Sequence, residues 1–200
     1  MDLFNQDRHR NVLPNDGTVH YLGMILNQDQ ANHYLQNLLR EVPWKNDEAI
    51  IYGKHIITKR KVAWYGDKDF AYTYSNTTRF ALPWTKSLFE LKTKVETITQ
   101  QKFNSCLLNL YHDGSEGMTW HSDDEEALGK NTTIASLSLG AERKFSFKHK
   151  RTKQTVSLVL ENSGLLVMKD ETQTHWLHSL PKTTKVMRPR VNLTFRTFLQ

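Results

Sequence analysis

Two hundred residues, 38% of them hydrophobic and 24% charged, suffice for one domain with a buried core and exclude a globally disordered chain. No apolar run approaches the roughly 20 residues of a membrane span, and the single cysteine, Cys106, excludes an internal disulfide and a cysteine-rich zinc site. With 27 basic against 21 acidic residues, the formal charge of +6 favours an anionic partner such as nucleic acid.

The opening residues MDLFNQDRHRNVLPNDG hold no apolar stretch of the kind a secretion signal needs, so a reducing compartment is expected. Residues 1–19 read as an irregular arm with a turn at Asn15-Asp16-Gly17. Between Asn27 and Val42 the apolar residues Ala31, Tyr34, Leu35, Leu38, Leu39 and Val42 form a helical stripe, and Pro43 stops it. A second helix begins near Pro83, with Leu88, Leu91, Val95 and Ile98 on one face and lysines on the other. From residue 103 the period changes to two. CLLNLY, TIASLSL, RKFSFKH, QTVSLVL, GLLVMK and RVNLTFRTF are strands split by polar or glycine-containing turns. Many short strands without alternating helices predict an antiparallel sandwich or barrel. The organisation expected is an arm at 1–19, an α/β region at 20–100 and a β core at 101–200. With no linker between them, 20–200 should form one unit.

Three groups of residues could carry chemistry. In an extended segment His121 and Asp123 project to the same side and bring an imidazole and a carboxylate together. One such His-x-acid triplet is expected by chance in a chain with 9 histidines, so a third ligand has to supply the specificity. Two His and one carboxylate on one face make the facial triad of non-haem Fe(II) oxygenases. The downstream candidates are His149, His175 and His178, and periodicity does not choose between them. The second group is the strand 190–196. It puts Arg190, Asn192, Thr194 and Arg196 on one face and Val191, Leu193 and Phe195 on the other. Buried cations on that face need anionic partners, which a dicarboxylate would supply through paired guanidinium hydrogen bonds. Because six residues of strand span roughly 20 Å, the two arginines have separate jobs. Third, Leu107, Asn109 and Tyr111 share one face of the strand before the triplet, and Cys106 falls on the opposite face as a packed thiol.

In chain order these pieces are Asn109-Leu110-Tyr111, then His121-Ser122-Asp123-Asp124-Glu125, then His175-Trp176-Leu177-His178-Ser179-Leu180-Pro181, then the strand from Arg190 to Arg196. That order, with the stretches NLYHDG, WHSDDE, IASLSLGAERKF, HWLHSLP and PRVNLTFR, resembles the AlkB family of Fe(II)/2-oxoglutarate dioxygenases, which repair alkylated nucleic acid bases. The resemblance covers residues 50–198 and is nearest the duplex-DNA-acting branch, that of the second human homologue. It implies an α+β fold: a double-stranded β-helix (jelly-roll) core with N-terminal helices and a nucleotide-recognition β extension. It implies His121, Asp123 and His178 as iron ligands, the distal His being the one directly before Ser-Leu-Pro. It further implies a 2-oxoglutarate pocket of Asn109, Tyr111, Arg190, Asn192, Thr194 and Arg196, with Arg190 on the distal carboxylate and Arg196 nearer the metal.

The same resemblance assigns substrate contacts. Ile51-Tyr52-Gly53-Lys54 is similar to the finger of duplex-acting members, with Tyr52 as the wedge that fills the vacated base stack and Gly53 allowing the turn. Tyr72-Thr73-Tyr74 resembles the base-contacting strand. Tyr74 and His121 would sandwich an extruded base, while Tyr72, Asp124 and Glu125 would meet its polar edge. Carboxylates there suit the positive charge of N1-methyladenine and N3-methylcytosine. Arg60 matches a family arginine that pairs with the acid after the metal Asp, here Asp124. The clusters Lys59-Arg60-Lys61 and 148–153 are candidate phosphate contacts. The finger aromatic is Tyr where the nearest relatives carry Phe, and the basic hairpin at 149–155 is shorter than in the human relative. The activity implied is oxidative demethylation of alkylated DNA, duplex and single-stranded, by Fe(II), O2 and 2-oxoglutarate, releasing formaldehyde, succinate and CO2. RNA, or a protein or small molecule, is the alternative substrate, and a non-catalytic binder of damaged DNA is the alternative class. A monomer acting away from membranes is expected, in the cytoplasm of a bacterium or the nucleus of a eukaryote.

Overall fold

The computed structural model describes residues 10–51, 54–74 and 77–199, with strand residues 49–51, 54–56, 72–74 and 77–79 described by their backbone alone. In chain order its elements are β1 (Thr18–Met24), α1 (Gln28–Glu41), β2 (Lys45–Ile51), β3 (Lys54–Gly66), β4 (Ala71–Tyr74), β5 (Thr77–Phe80), β6 (Leu82–Pro83) and α2 (Lys86–Thr99). The second half runs β7 (Ser105–Tyr111), β8 (Met118–His121), a 3-10 turn (Glu126–Leu128), β9 (Ile134–Gly140), β10 (Arg143–His149), β11 (Thr155–Leu160), β12 (Gly164–Lys169), the single turn α3 (Thr172–His175), β13 (Trp176–Leu180) and β14 (Arg190–Arg196).

Local sequence sets the helix ends. Asn27 accepts from the Gln30 N–H at 2.9 Å and the Gln30 side chain accepts from the Asn27 N–H at 3.2 Å, a capping box that starts α1. Losing that cap costs about 1 kcal/mol. Ala31, Leu35 and Leu38 face inward, and the backbone turns out of the helix at Val42, before Pro43. Thr85 caps α2 by accepting from the Leu88 N–H at 3.3 Å, and Gln100 ends it in the left-handed conformation at φ 54°. The expected apolar face holds for Leu88, Leu91 and Val95. Two residues depart from it. Ile98 is half-exposed, and Lys92 is buried beside Asp67 at 3.3 Å and Glu96 at 3.5 Å. A lysine stem covers apolar surface while its head finds carboxylates.

Two sheets face each other as a jelly roll. The larger has the order β1-β12-β9-β14-β7-β3-β2, with β6 alongside β3, and the smaller β11-β10-β13-β8. A separate hairpin pairs β4 with β5. The central strands of the larger sheet, β7, β9 and β14, are buried on both sides. Cys106, Leu108, Leu137, Leu139, Val191, Leu193 and Phe195 face the helices and pack with Leu35, Leu38, Leu88, Leu91 and Val95. Each such fully buried apolar side chain contributes on the order of 2 kcal/mol. The thiol of Cys106 belongs to this layer, and burial pushes its pKa up. Between the sheets lies a second core of Tyr111, Ile134, Leu166, Met168, Phe145, Phe147, Trp176 and Leu180.

The described part of the N-terminal segment docks on the smaller sheet. Leu13 is buried, the Trp176 indole donates to the Asn15 carbonyl at 3.0 Å, and His149 meets Asp16 at 3.1 Å. The register of β14 between β7 and β9 pairs Arg190 with Tyr111 and Gly140, Asn192 with Asn109 and Ser138, and Thr194 with Leu107 and Ser136. That register positions everything that follows.

Candidate metal centre and adjoining pocket

His121 and His178 are direct partners in the β8–β13 pairing. Beyond them the register shifts, so that Leu180 faces Met118. Two residues of β13 span three of β8, and the extra residue is a β-bulge. The bulge lets Met118 and His121 both face the interior although they are three apart, and Trp120 remains partly exposed. Strand alternation is therefore not what joins His121 to Asp123. The strand ends at His121, and Asp123 reaches inward from the irregular segment that follows. Its backbone N–H is fixed by the Gln173 side-chain carbonyl at 2.9 Å.

The two rings lie 4.2 Å apart between centroids at 64°. The His121 Nδ1 faces the Thr119 carbonyl at 2.8 Å. A carbonyl only accepts, so Nδ1 carries the proton and Nε2 keeps its lone pair. Both Nε2 atoms face one oxygen of Asp123, from His121 at 3.7 Å and from His178 at 3.8 Å. All three ligand atoms lie within 4.8 Å of one another. These separations exceed hydrogen-bond length, and two ligands about 2.1 Å from one ion stand at comparable spacings.

The electrostatics favour the ligating forms. Burial pushes the His178 pKa down to about 4 against the pull of Asp123, so the imidazole is neutral near pH 7. Burial alone would raise Asp123, but Arg196, His178 and His121 outweigh it and hold the carboxyl below its usual range. Phe145 stacks on His178 at 5.5 Å and 28°, forming an apolar wall. Two imidazoles and one carboxylate, converging within 4.8 Å, form the donor set suited to Fe(II). The other histidines do not join it. His149 is buried against Asp16, His175 lies 3.8 Å from Glu171, and the two stack at 6.2 Å.

The polar face of β14 points between the sheets and is buried throughout. Arg190 donates to Ser138 Oγ and to Asn192 Oδ1, both at 2.9 Å, and its guanidinium lies 5.6 Å from the Tyr111 ring. Ser136 donates to Asn192 Oδ1 at 2.9 Å, and Asn192 Nδ2 to Thr194 at 2.8 Å. Burial pushes the Arg190 pKa down to about 10, the mark of a cation short of anionic partners. Its Nε and that of Arg196 are buried without a partner. Arg196 stands at the metal end, 3.8 Å from Asp123 and 3.6 Å from Glu125. Arg190, Asn192, Thr194, Arg196, Asn109 and Tyr111 are thus gathered along adjacent strands, with a charge at each end. Ser136 and Ser138 were missing from the residues expected, although their alternation in IASLSLG was a readable signal. Gln173 left no such signal.

On the substrate side, Tyr52 and Gly53 lie outside the described residues. Lys54, Tyr72, Thr73 and Tyr74 are placed by backbone only, Lys54 opening β3 and the other three in β4 opposite Arg79, Thr78 and Thr77. Arg60 is buried, and here the expectation needs correcting. Its guanidinium pairs with Asp47 of β2 rather than with Asp124, and it also reaches Met118 Sδ at 2.6 Å. Asp47 lies on the strand antiparallel to that of Arg60, closer than the segment after the metal Asp. Asp124 accepts from Ser122 at 3.0 Å and lies 3.6 Å from Lys150. Glu125 sits beside Arg196, and burial, reinforced by Asp123 and Asp124 against Arg196, holds its pKa above the usual range. Lys148 lies over the Trp120 ring at 4.4 Å.

Residues 18–196 match the family described as the 2OG-Fe(II) oxygenase superfamily. The chain is 43% identical over 187 residues to the DNA oxidative demethylase ALKBH2 of Mus musculus, spanning 88% of this chain and 78% of that protein. To ALKBH2 of Homo sapiens it is 38% identical, spanning 88% and 72%. To the alpha-ketoglutarate-dependent dioxygenase alkB homolog 3 of Mus musculus it is 39% identical over 178 residues, spanning 84% and 62%. The solved structure of OsALKBH1 aligns with a TM-score of 0.63 over 92% of this chain and 98% of that one, at 16% identity, a likeness of fold alone.

Proposed function

The chain belongs to the 2OG-Fe(II) oxygenase superfamily, as an AlkB-family member close to ALKBH2, and we propose that it repairs DNA by demethylating N1-methyladenine and N3-methylcytosine. It is a 2-oxoglutarate-dependent dioxygenase using Fe(II) and O2. The observation that carries the reading is the convergence of His121, Asp123 and His178 beside a buried, cationic polar row. The relatives named DNA oxidative demethylases supply the substrate class.

In this reading His121, Asp123 and His178 hold Fe(II). With O2 and 2-oxoglutarate, the bound iron supplies the oxidation of the N-methyl carbon, and formaldehyde, succinate and CO2 leave. Arg190 grips the distal carboxylate of the cosubstrate, steadied by Ser138, Asn192 and the Tyr111 ring. Asn109 and Thr194 complete the polar wall, and Arg196 keeps Asp123 ionised at the other end. The apolar side made by Phe145 and Phe147 excludes water from the His178 imidazole.

A base inside a duplex cannot reach this interior, so it is flipped out. Tyr52 fills the gap in the stack, and Tyr74 with His121 encloses the extruded base. Tyr72, Asp124 and Glu125 face its edge, where negative charge favours the cationic methylated bases over neutral ones. Both duplex and single-stranded DNA are substrates in this reading, and the protein acts as a monomer.

The test is formaldehyde release from an oligonucleotide carrying N1-methyladenine, with Fe(II) and 2-oxoglutarate supplied. The wild-type chain should release one formaldehyde per lesion, and His121→Ala should release none. Full activity in His121→Ala, or turnover confined to methylated RNA, would overturn the reading.

A further inference from the structure

A second buried guanidinium stands at the Arg190 end of the barrel. Arg143, the first residue of β10, is 2% exposed and shares its inward face with Phe145 and Phe147. It donates to the carbonyls of Glu116 and Pro181, both at 2.8 Å, of Asp113 at 3.2 Å and of Gly114 at 3.5 Å. Its Nε is buried without a partner. No carboxylate among the described residues makes a salt bridge with it or with Arg190. Carbonyl dipoles satisfy N–H donors but leave the net charge in place, so two cations with no carboxylate in ion-pair contact share this end of the interior.

The four carbonyls come from two segments. Residues 112–117 join Tyr111 to the strand bearing His121, and Pro181 follows the strand bearing His178. These segments are closed on each other: the Gly114 N–H donates to Val186 at 2.7 Å and the Thr183 N–H to Gly114 at 2.8 Å. A Cβ on Gly114 would overlap the Thr183 carbonyl, and one on Gly117 the Leu180 carbonyl. The clamp therefore fixes where the charge stands relative to Tyr111, which is the register partner of Arg190.

We propose that Arg143 is a positioning residue for the cosubstrate: without touching it, Arg143 adds a second fixed positive charge at the distal carboxylate of 2-oxoglutarate and anchors the loop from Tyr111 to His121. Consistent with that proximity, Arg143 and Arg190 each interact electrostatically with the Tyr111 hydroxyl, and Arg143 adds to the burial that lowers the Arg190 pKa. The inference rests on the oxygenase reading and extends it to a residue outside the row on β14.

The experiment measures 2-oxoglutarate affinity by calorimetry on the full chain loaded with Mn2+ in place of Fe(II), alongside steady-state kinetics. Arg143→Gln, which keeps donors and loses charge, should weaken 2-oxoglutarate by roughly tenfold, the weight of one charge acting across a partly buried gap. KM should rise with kcat at saturating cosubstrate nearly unchanged, and Arg143→Lys should recover most of the loss. Pyruvate, which lacks the distal carboxylate, should bind Arg143→Gln and wild type alike. Should Arg143→Gln fail to fold, Glu116→Gln removes one of the two carboxylates that oppose the Arg143 charge and should tighten 2-oxoglutarate severalfold. Wild-type affinity in a folded Arg143→Gln, equal loss in Arg143→Lys, or no tightening in Glu116→Gln contradicts the proposal. Absence of 2-oxoglutarate binding by the wild type would instead sink the oxygenase reading itself.

Discussion

The side-chain carbonyl of Gln173 accepts a 2.9 Å hydrogen bond from the backbone N–H of Asp123, tying the carboxylate between the two histidines to the turn that leads into β13. Gln173 is itself buried, and its backbone carbonyl accepts from the Lys150 ammonium at 2.8 Å. The bond sets where Asp123 stands before any ion arrives, because nothing in β8 continues far enough to do so.

Removing that bond should loosen the centre without unfolding it. A neutral hydrogen bond contributes about 1 kcal/mol net, and supporting contacts behind metal ligands commonly weigh tenfold or more in affinity. Gln173→Ala should weaken Mn2+ binding by roughly tenfold and leave the melting temperature within a few degrees. Unchanged metal affinity would show that Asp123 is held by other means.

Arg190→Met should raise the 2-oxoglutarate KM by roughly one to two orders of magnitude, the weight of a charge-assisted hydrogen bond pair. Affinity for an unmethylated oligonucleotide should stay at the wild-type value, because the residue is buried between the sheets. Loss of oligonucleotide binding in step with the KM change would place Arg190 in a structural role.

Leu193→Ala removes a fully buried side chain from the layer between the larger sheet and the helices. It should destabilise the fold by about 3 kcal/mol, read as a shift of the chemical-denaturation midpoint with the slope unchanged. A cost under about 1 kcal/mol would mean that α1 and α2 collapse readily onto the sheet.

Much of this architecture is legible in the amino-acid sequence, and the boundary is physical. The strand 190–196 declares itself because its period of two separates Val191, Leu193 and Phe195 from Arg190, Asn192, Thr194 and Arg196, and both sets are buried on opposite sides of one sheet. The metal residues were harder to read from pattern alone. β8 is four residues long with a bulge, Asp123 lies outside any strand, and α3 interrupts the approach to His178. Alternation therefore left His149, His175 and His178 open, and tertiary pairing of β8 with β13 decides among them. Arg60 shows the same limit: its partner Asp47 is set by a hairpin register that itself shifts between Asn46 and Glu48. Lys92 was assigned to solvent by helical spacing, yet Asp67 and Glu96 draw it in.

Tyr52→Ala addresses the finger. Because a single strand has no vacated stack to fill, the substitution should slow demethylation of a methylated duplex at least about tenfold more than of the same single strand. Equal losses on both substrates would remove Tyr52 from that role.

The central claim is that His121, Asp123 and His178 hold one ferrous ion, and anaerobic titration with Fe(II) followed by calorimetry tests it most directly. The wild-type chain should bind one equivalent, and Asp123→Ala, still folded by its denaturation curve, should lose at least about a hundredfold in affinity. One equivalent bound with undiminished affinity in Asp123→Ala would contradict the account.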